Sequence, residues 1–149
     1  MKKFSAIVLV CTASLASCVA QSKRNQEMII EDFVNSLADS SITNDEIREK
    51  FLIVKKMDQA DLDFINLHLS YAREELAKNK IGGDKIKIVP YGDLKEDEKL
   101  IIVSKERIRN VYLVYYNNTS MIPILLENNR ITAFATLDKG GRKYFMEYK

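Results

Sequence analysis

The spacing of apolar positions changes halfway along the chain. In the first half it follows the 3.6-residue period of a helix. Ile29, Ile30, Phe33, Val34 and Leu37 form one stripe, which predicts a helix closing near Asp39, Ser40 and Ser41. Thr43-Asn44-Asp45-Glu46 has the form of a capping box, where hydroxyl and carboxylate satisfy each other's free backbone donors. It predicts the start of a short second helix carrying Ile47, Phe51 and Val54. Asp58 or Asp61 is placed to cap a third helix, with the stripe Leu62, Ile65, Leu69, Ala72 and Leu76, and Gly82-Gly83 to stop it. Two heptads at that spacing are too few for a coiled coil, so the stripe is expected to pack on a sheet.

From residue 85 the period drops to two. Ile86 and Ile88 alternate with Lys85 and Lys87, and Pro90 limits this segment to an edge or a short strand. Runs rich in β-branched and aromatic residues follow at 100–103, 111–116, 121–126, 130–137 and 143–148. Residues 111–116 are apolar on both alternating sets, which predicts a central strand covered on both faces. Asn117-Asn118, Asn128-Asn129 and Lys139-Gly140-Gly141-Arg142 separate the later runs, and predict tight turns because Asn and Gly accept positive φ. Helices first and strands afterwards give an α+β domain, with about three N-terminal helices on one face of an antiparallel sheet of five to six strands.

The first residues follow neither pattern. Lys2 and Lys3 precede an apolar stretch from Phe4 to Leu15, and small residues Ala16, Ser17 and Ala20 follow. That order is the layout of a secretory leader, with a core too short for a comfortable membrane span. Leu15-Ala16-Ser17-Cys18 resembles the lipobox of bacterial lipoproteins. The resemblance implies acylation of the Cys18 thiol and cleavage just before it. Ordinary cleavage after Ala20 is the competing reading. Cys11 lies in the leader, so Cys18 has no second mature cysteine to pair with, which favours lipidation. The expected organisation is a leader over 1–17, a polar tether over 18–26 and a single α+β domain over 27–149.

The leader alters the charge reading. The 149-residue chain carries a formal net charge of +2, with 23 Lys and Arg against 21 Asp and Glu. Removing Lys2 and Lys3 leaves 21 of each. No basic field of the kind that holds nucleic acid is left. Clusters such as Arg48 to Lys50 and Lys55-Lys56 are interleaved with acids, as on a solvated face.

Candidate chemistry is sparse. His68 is the single histidine, near the edge of the third helix's apolar face, and one His does not make a transition-metal site. It has the chemistry of a general base only if a carboxylate from the sheet meets it. Asp58, Asp61 and Asp63 lack the Gly turn and distal Glu of a calcium loop, so no metal and no cofactor is expected. Tyrosine is the suggestive excess. Tyr112, Tyr115 and Tyr144 lie on predicted strands, and with Met121 and His68 they are candidates to line an apolar pocket carrying a few polar tips. The bland alternative is that these aromatics fill the core.

Three helices followed by a sheet resemble, in element order over roughly residues 25–149, the nuclear transport factor 2-like or cystatin-like fold. The tail from Ile124 to Phe134, with Lys139-Gly140-Gly141 and Lys143-Tyr144-Phe145, is similar to the ends of small exported lipoproteins of Bacteroides-type bacteria. The resemblance implies a curved, cone-shaped sheet and an envelope location, and supplies no catalytic residues. The expected function is a non-enzymatic envelope lipoprotein, exported and anchored through Cys18 on the periplasmic or outer-membrane face, binding a small apolar ligand or a protein partner and no nucleic acid. Two alternatives stand beside it. One is a ketosteroid-isomerase-type enzyme, which needs a carboxylate facing Tyr112 or Tyr115. The other is a structural subunit whose strand edge at 86–90 or 143–148 accepts another chain.

Overall fold

A computed structural model of the chain describes residues 5–53, 57–78, 86–116 and 119–148, with the side chains of 5–20, Ser120 and Met121 left outside the description. Three helices come first: α1 (Ser5–Ala38), α2 (Asn44–Phe51) and α3 (Gln59–Lys78). Seven strands follow: β1 (Lys87–Pro90), β2 (Ile101–Ile102), β3 (Val111–Tyr116), β4 (Thr119–Glu127), β5 (Arg130–Ala133), β6 (Thr136–Lys139) and β7 (Arg142–Phe145). The class is α+β, as the change of period requires.

The helix boundaries obey local chemistry. Thr43 and Glu46 form the capping box at the start of α2: the Thr43 amide donates to Glu46 Oε2 at 2.6 Å, and the Glu46 amide to Thr43 Oγ1 at 3.2 Å. The Thr43 amide and, at 2.8 Å, the Thr43 hydroxyl both donate to the Glu46 carboxylate and hold it below its usual pKa. Asp58 takes the cap of α3, accepting from the Asp61 amide at 3.0 Å. Arg130 closes the other end of α2 by donating to the Glu49 and Lys50 carbonyls, both at 2.7 Å. Gly82-Gly83, read as the stop of the third helix, lies outside the described residues.

α1 begins well ahead of the apolar stripe that predicts it. The tether predicted over 18–26 is helical, continuous with the rest of α1. Residues 21–26 include Gln, Lys and Arg, which are good helix formers, and no Pro or Gly interrupts them.

The strands divide into two sheets. One has the order β1-β3-β4-β5, antiparallel throughout; the other has β2-β7-β6, with β2 and β7 parallel. The run expected as one strand over 130–137 is therefore two, β5 and β6, in different sheets. Phe134, between them, turns into the helix-side core 5.4 Å from Phe33. The segment 143–148, expected as a free edge, instead begins in β7 at the centre of the smaller sheet, because β2 docks on its far side. β1 does lie at an edge.

β3 is central and apolar on both faces. Tyr112 and Val114 join α1, α2 and α3 in one core, where Phe33 sits edge-on to Phe51 and Phe134. Val111 and Leu113 join Tyr91, Ile101, Leu125 and Ala133 in a second core on the opposite face. Helices thus cover one face of the larger sheet, and the segment from Tyr91 to Ile101 covers the other. Pro123 lies in β4 opposite Leu113, beyond the last β4–β5 pair at Leu125 and Ala133, so its missing N–H removes no β5 ladder bond.

Turn chemistry follows the sequence where it is described. Asn128 and Asn129 take φ of 52° and 59°, and Gly140 and Gly141 take 65° and 77°. Consecutive positive φ is what a twisted two-residue hairpin requires. Asn117-Asn118 lies outside the described residues.

Candidate functional site

The volume between the helices and the larger sheet is packed. Ile65, Leu69 and Leu76 of α3 meet Ile122, Ile124 and Leu126 of β4 in one buried apolar cluster. Apart from tyrosines, the buried polar side chains among the described residues are Ser36 and Thr132, neither of which ionises near neutral pH. No Asp, Glu or His is fully buried among the described residues.

The residues picked as pocket candidates are dispersed. Tyr112 is buried on the helix side, and its hydroxyl donates to Gln26 Oε1 at 2.6 Å. Burial, then the charges of Glu27 and Asp93, push its pKa up. Tyr115 points to the opposite face of β3, against the second core, and burial raises its pKa too. Tyr144 is on β7 in the smaller sheet and partly exposed. His68 is half-buried on α3, with its ring centroid 6.5 Å from that of Tyr148. Its Nδ1–H donates to the Phe64 carbonyl at 2.9 Å, and its ring stands edge-on to Phe64 with centroids 4.2 Å apart. The structure therefore brings Tyr112, Tyr115, Tyr144 and His68 to four different surroundings. The side chains of Met121 and Cys18 lie outside the described residues.

Period-two alternation explains why Tyr112 and Tyr115 separate: three positions apart on one strand are opposite faces. Tyr144 separates because the strand run splits between two sheets, which the sequence does not mark.

Two surface features do assemble. The first is an apolar row across the outside of the smaller sheet. Ile102 and Leu137 both stand opposite Tyr144 in register, so the three share one face. Their exposures are 45%, 56% and 37%, and Leu100, two residues before Ile102, is 53% exposed. Phe64, Leu67 and Tyr71 make a further exposed strip along α3, at the spacing of one helix face.

The second is an open groove of about 730 Å³ beside α1. α1 lines it with Lys23 and Gln26, the turn after β1 with Asp93, the loop before β3 with Lys105 and Arg109, and β3 with Tyr112. Lys23 Nζ lies 3.7 Å from Asp93 Oδ2. Lys105 and Arg109 have no ion-pair partner among the described residues. Three cations against one carboxylate give the groove lining a net positive charge. Nothing in the local sequence singles out these cations. Lys23 is more than eighty positions from the other two, and only the fold gathers them.

No group of three or more His, Cys, Asp or Glu that could hold a metal ion occurs among the described residues, and no described helix is long and apolar enough to cross a membrane. In comparisons with known proteins, the chain matches no family model, no curated protein and no solved structure.

Proposed function

We propose that this chain is a non-catalytic envelope lipoprotein, held to a membrane by acyl chains on Cys18, that docks a protein partner. The apolar row of Leu100, Ile102, Tyr144 and Leu137 carries the docking half. Three large apolar side chains left exposed on neighbouring strands, with Leu100 just before β2, form a patch of the kind that marks interaction surfaces. The packed interior favours a protein partner over a small apolar ligand, because the space beneath Tyr112 is already filled by side chains. Leu15-Ala16-Ser17-Cys18 after a cationic, apolar leader supports the anchor. Several acyl chains hold a protein on a bilayer where one is marginal.

The proposal includes the cystatin-like, cone-shaped reading of the domain. Support comes from helices on one face of an antiparallel meander, and from register shifts at Val114/Tyr115 and Leu125/Leu126, since bulges bend strands. Two measurements test the function. Fatty-acid labelling should mark the wild-type chain and leave Cys18→Ala blank; an unlabelled wild type refutes the anchor. A photo-crosslinker at position 144 should give one discrete adduct in the host envelope, lost on Ile102→Asp. An adduct that survives that substitution refutes the docking face.

A further inference from the structure

We propose that the groove beside α1 binds the phosphate of an anionic phospholipid headgroup in the membrane that carries the chain. The inference rests on the anchoring through Cys18 proposed above. Charge supplies the first argument. Lys23, Lys105 and Arg109 line the groove against Asp93 alone. Asp93 engages Lys23, which leaves Lys105 and Arg109 for an incoming anion. Arg109 offers a planar fork that matches two phosphate oxygens, and Lys105 a compact point charge. Glu27, felt electrostatically at Tyr112, is the other carboxylate near this wall.

Position supplies the second argument. α1 runs unbroken through Cys18, so Lys23 stands five residues beyond the anchor and Gln26 eight. At 1.5 Å per residue that is about 8 Å and about 12 Å along the axis. A groove so close to acylated Cys18 lies within roughly one Debye length of the headgroup layer, where each Lys or Arg is drawn to anionic lipid. Pro90, Ile108 and the Tyr112 ring give the groove apolar wall for the glycerol end of a headgroup, while the cations take its phosphate. Gln26 Oε1 is engaged by Tyr112, and its carboxamide keeps two N–H donors. A zwitterionic headgroup carries its own cation and gains less from the same site.

The test uses the full chain purified from its host in nonionic detergent. It is titrated calorimetrically with dihexanoyl-phosphatidylglycerol, dihexanoyl-phosphatidylcholine and inorganic phosphate. Phosphatidylglycerol should bind best, and Lys105→Ala and Arg109→Ala should each weaken it about fivefold. Lys78→Ala, which removes a cation at the C-terminal end of α3, should leave binding unchanged. Inorganic phosphate binding as tightly as phosphatidylglycerol would overturn the membrane as the source. Equal binding of both lipids, or no loss in the two groove variants, would overturn the site. Fatty-acid labelling of the same preparation separates the two proposals: label without phosphatidylglycerol binding sinks the groove alone, and binding without label sinks the anchor.

Discussion

Two tyrosine hydroxyls in this fold should respond to the same chemical change with opposite signs. Tyr91 and Tyr148 are both buried, 3% and 6% exposed. The Tyr91 hydroxyl donates to the Ile101 carbonyl at 2.7 Å and accepts from the Ile101 amide at 2.9 Å. Tyr91→Phe deletes both bonds and strands two buried backbone groups. At about 1 kcal/mol per bond, plus the desolvation of what is left unpaired, the loss is about 2–4 kcal/mol. The Tyr148 hydroxyl is buried with no hydrogen-bond partner among the described residues. Burying an unpaired hydroxyl costs about 1–3 kcal/mol on the mutational scale, so Tyr148→Phe should gain about 1 kcal/mol. Urea unfolding measures both. With a slope of about 1.5 kcal/mol per molar, the midpoint should rise by about 0.7 M for Tyr148→Phe and fall by more than 1 M for Tyr91→Phe. The slope should not change. The same burial pushes the Tyr148 pKa far up. The folded state then keeps a proton that the unfolded chain loses above about pH 10, so stability is intact below that pH and falls as pH rises past it. Tyr148→Phe should flatten that alkaline decline. A lower midpoint for Tyr148→Phe, or an unchanged one for Tyr91→Phe, refutes the hydrogen-bond account.

Other expectations are direct. Phe33→Ala removes a fully buried ring held between Phe51 and Phe134, and should lower stability by about 3–5 kcal/mol in a thermal melt; a loss under 2 would mean the core repacks around the gap. Arg107 Nε donates to Glu127 at 2.8 Å, and Nη1 and Nη2 to Glu147 at 2.7 and 3.1 Å, joining β4 to the C-terminal segment. A double-mutant cycle on Arg107 and Glu127 should give a coupling of about 1 kcal/mol that shrinks with salt, and a salt-independent value would contradict an ionic origin. Asn129→Val places a β-branched side chain at φ 59° and should destabilise by about 1 kcal/mol or more, whereas Asn129→Gly should be neutral or better in the same melt.

The local features were legible because local chemistry determines them. The capping box at Thr43 and Glu46, the stripe ending at Leu37 and the positive φ of Asn128 and Asn129 all depend on residues within one turn of each other. The two-faced character of β3 was legible as well, since residues 111–116 carry no polar face to expose. The division between β5 and β6 was not. Residues 130–137 hold no Gly or Pro to mark a break, and what bends the chain there is Phe134 seeking Phe33, a hundred residues away. The parallel pairing of β2 with β7 is equally non-local. The helical state of 18–26 follows residue propensity, which the polarity of the segment does not reveal. The groove escaped notice because its cations belong to two segments more than eighty residues apart, each unremarkable alone.

The unbroken α1 sets how far this protein reaches. A nine-residue leash over 18–26, fully stretched, would let the folded body roam up to about 30 Å from its lipid, whereas the same residues as a helix span only about 13 Å and resist bending. Under the proposed anchoring, the body rides on a short stiff mast. It would meet partners seated in the same leaflet and hold one orientation toward them, and it would not search the space between two membranes.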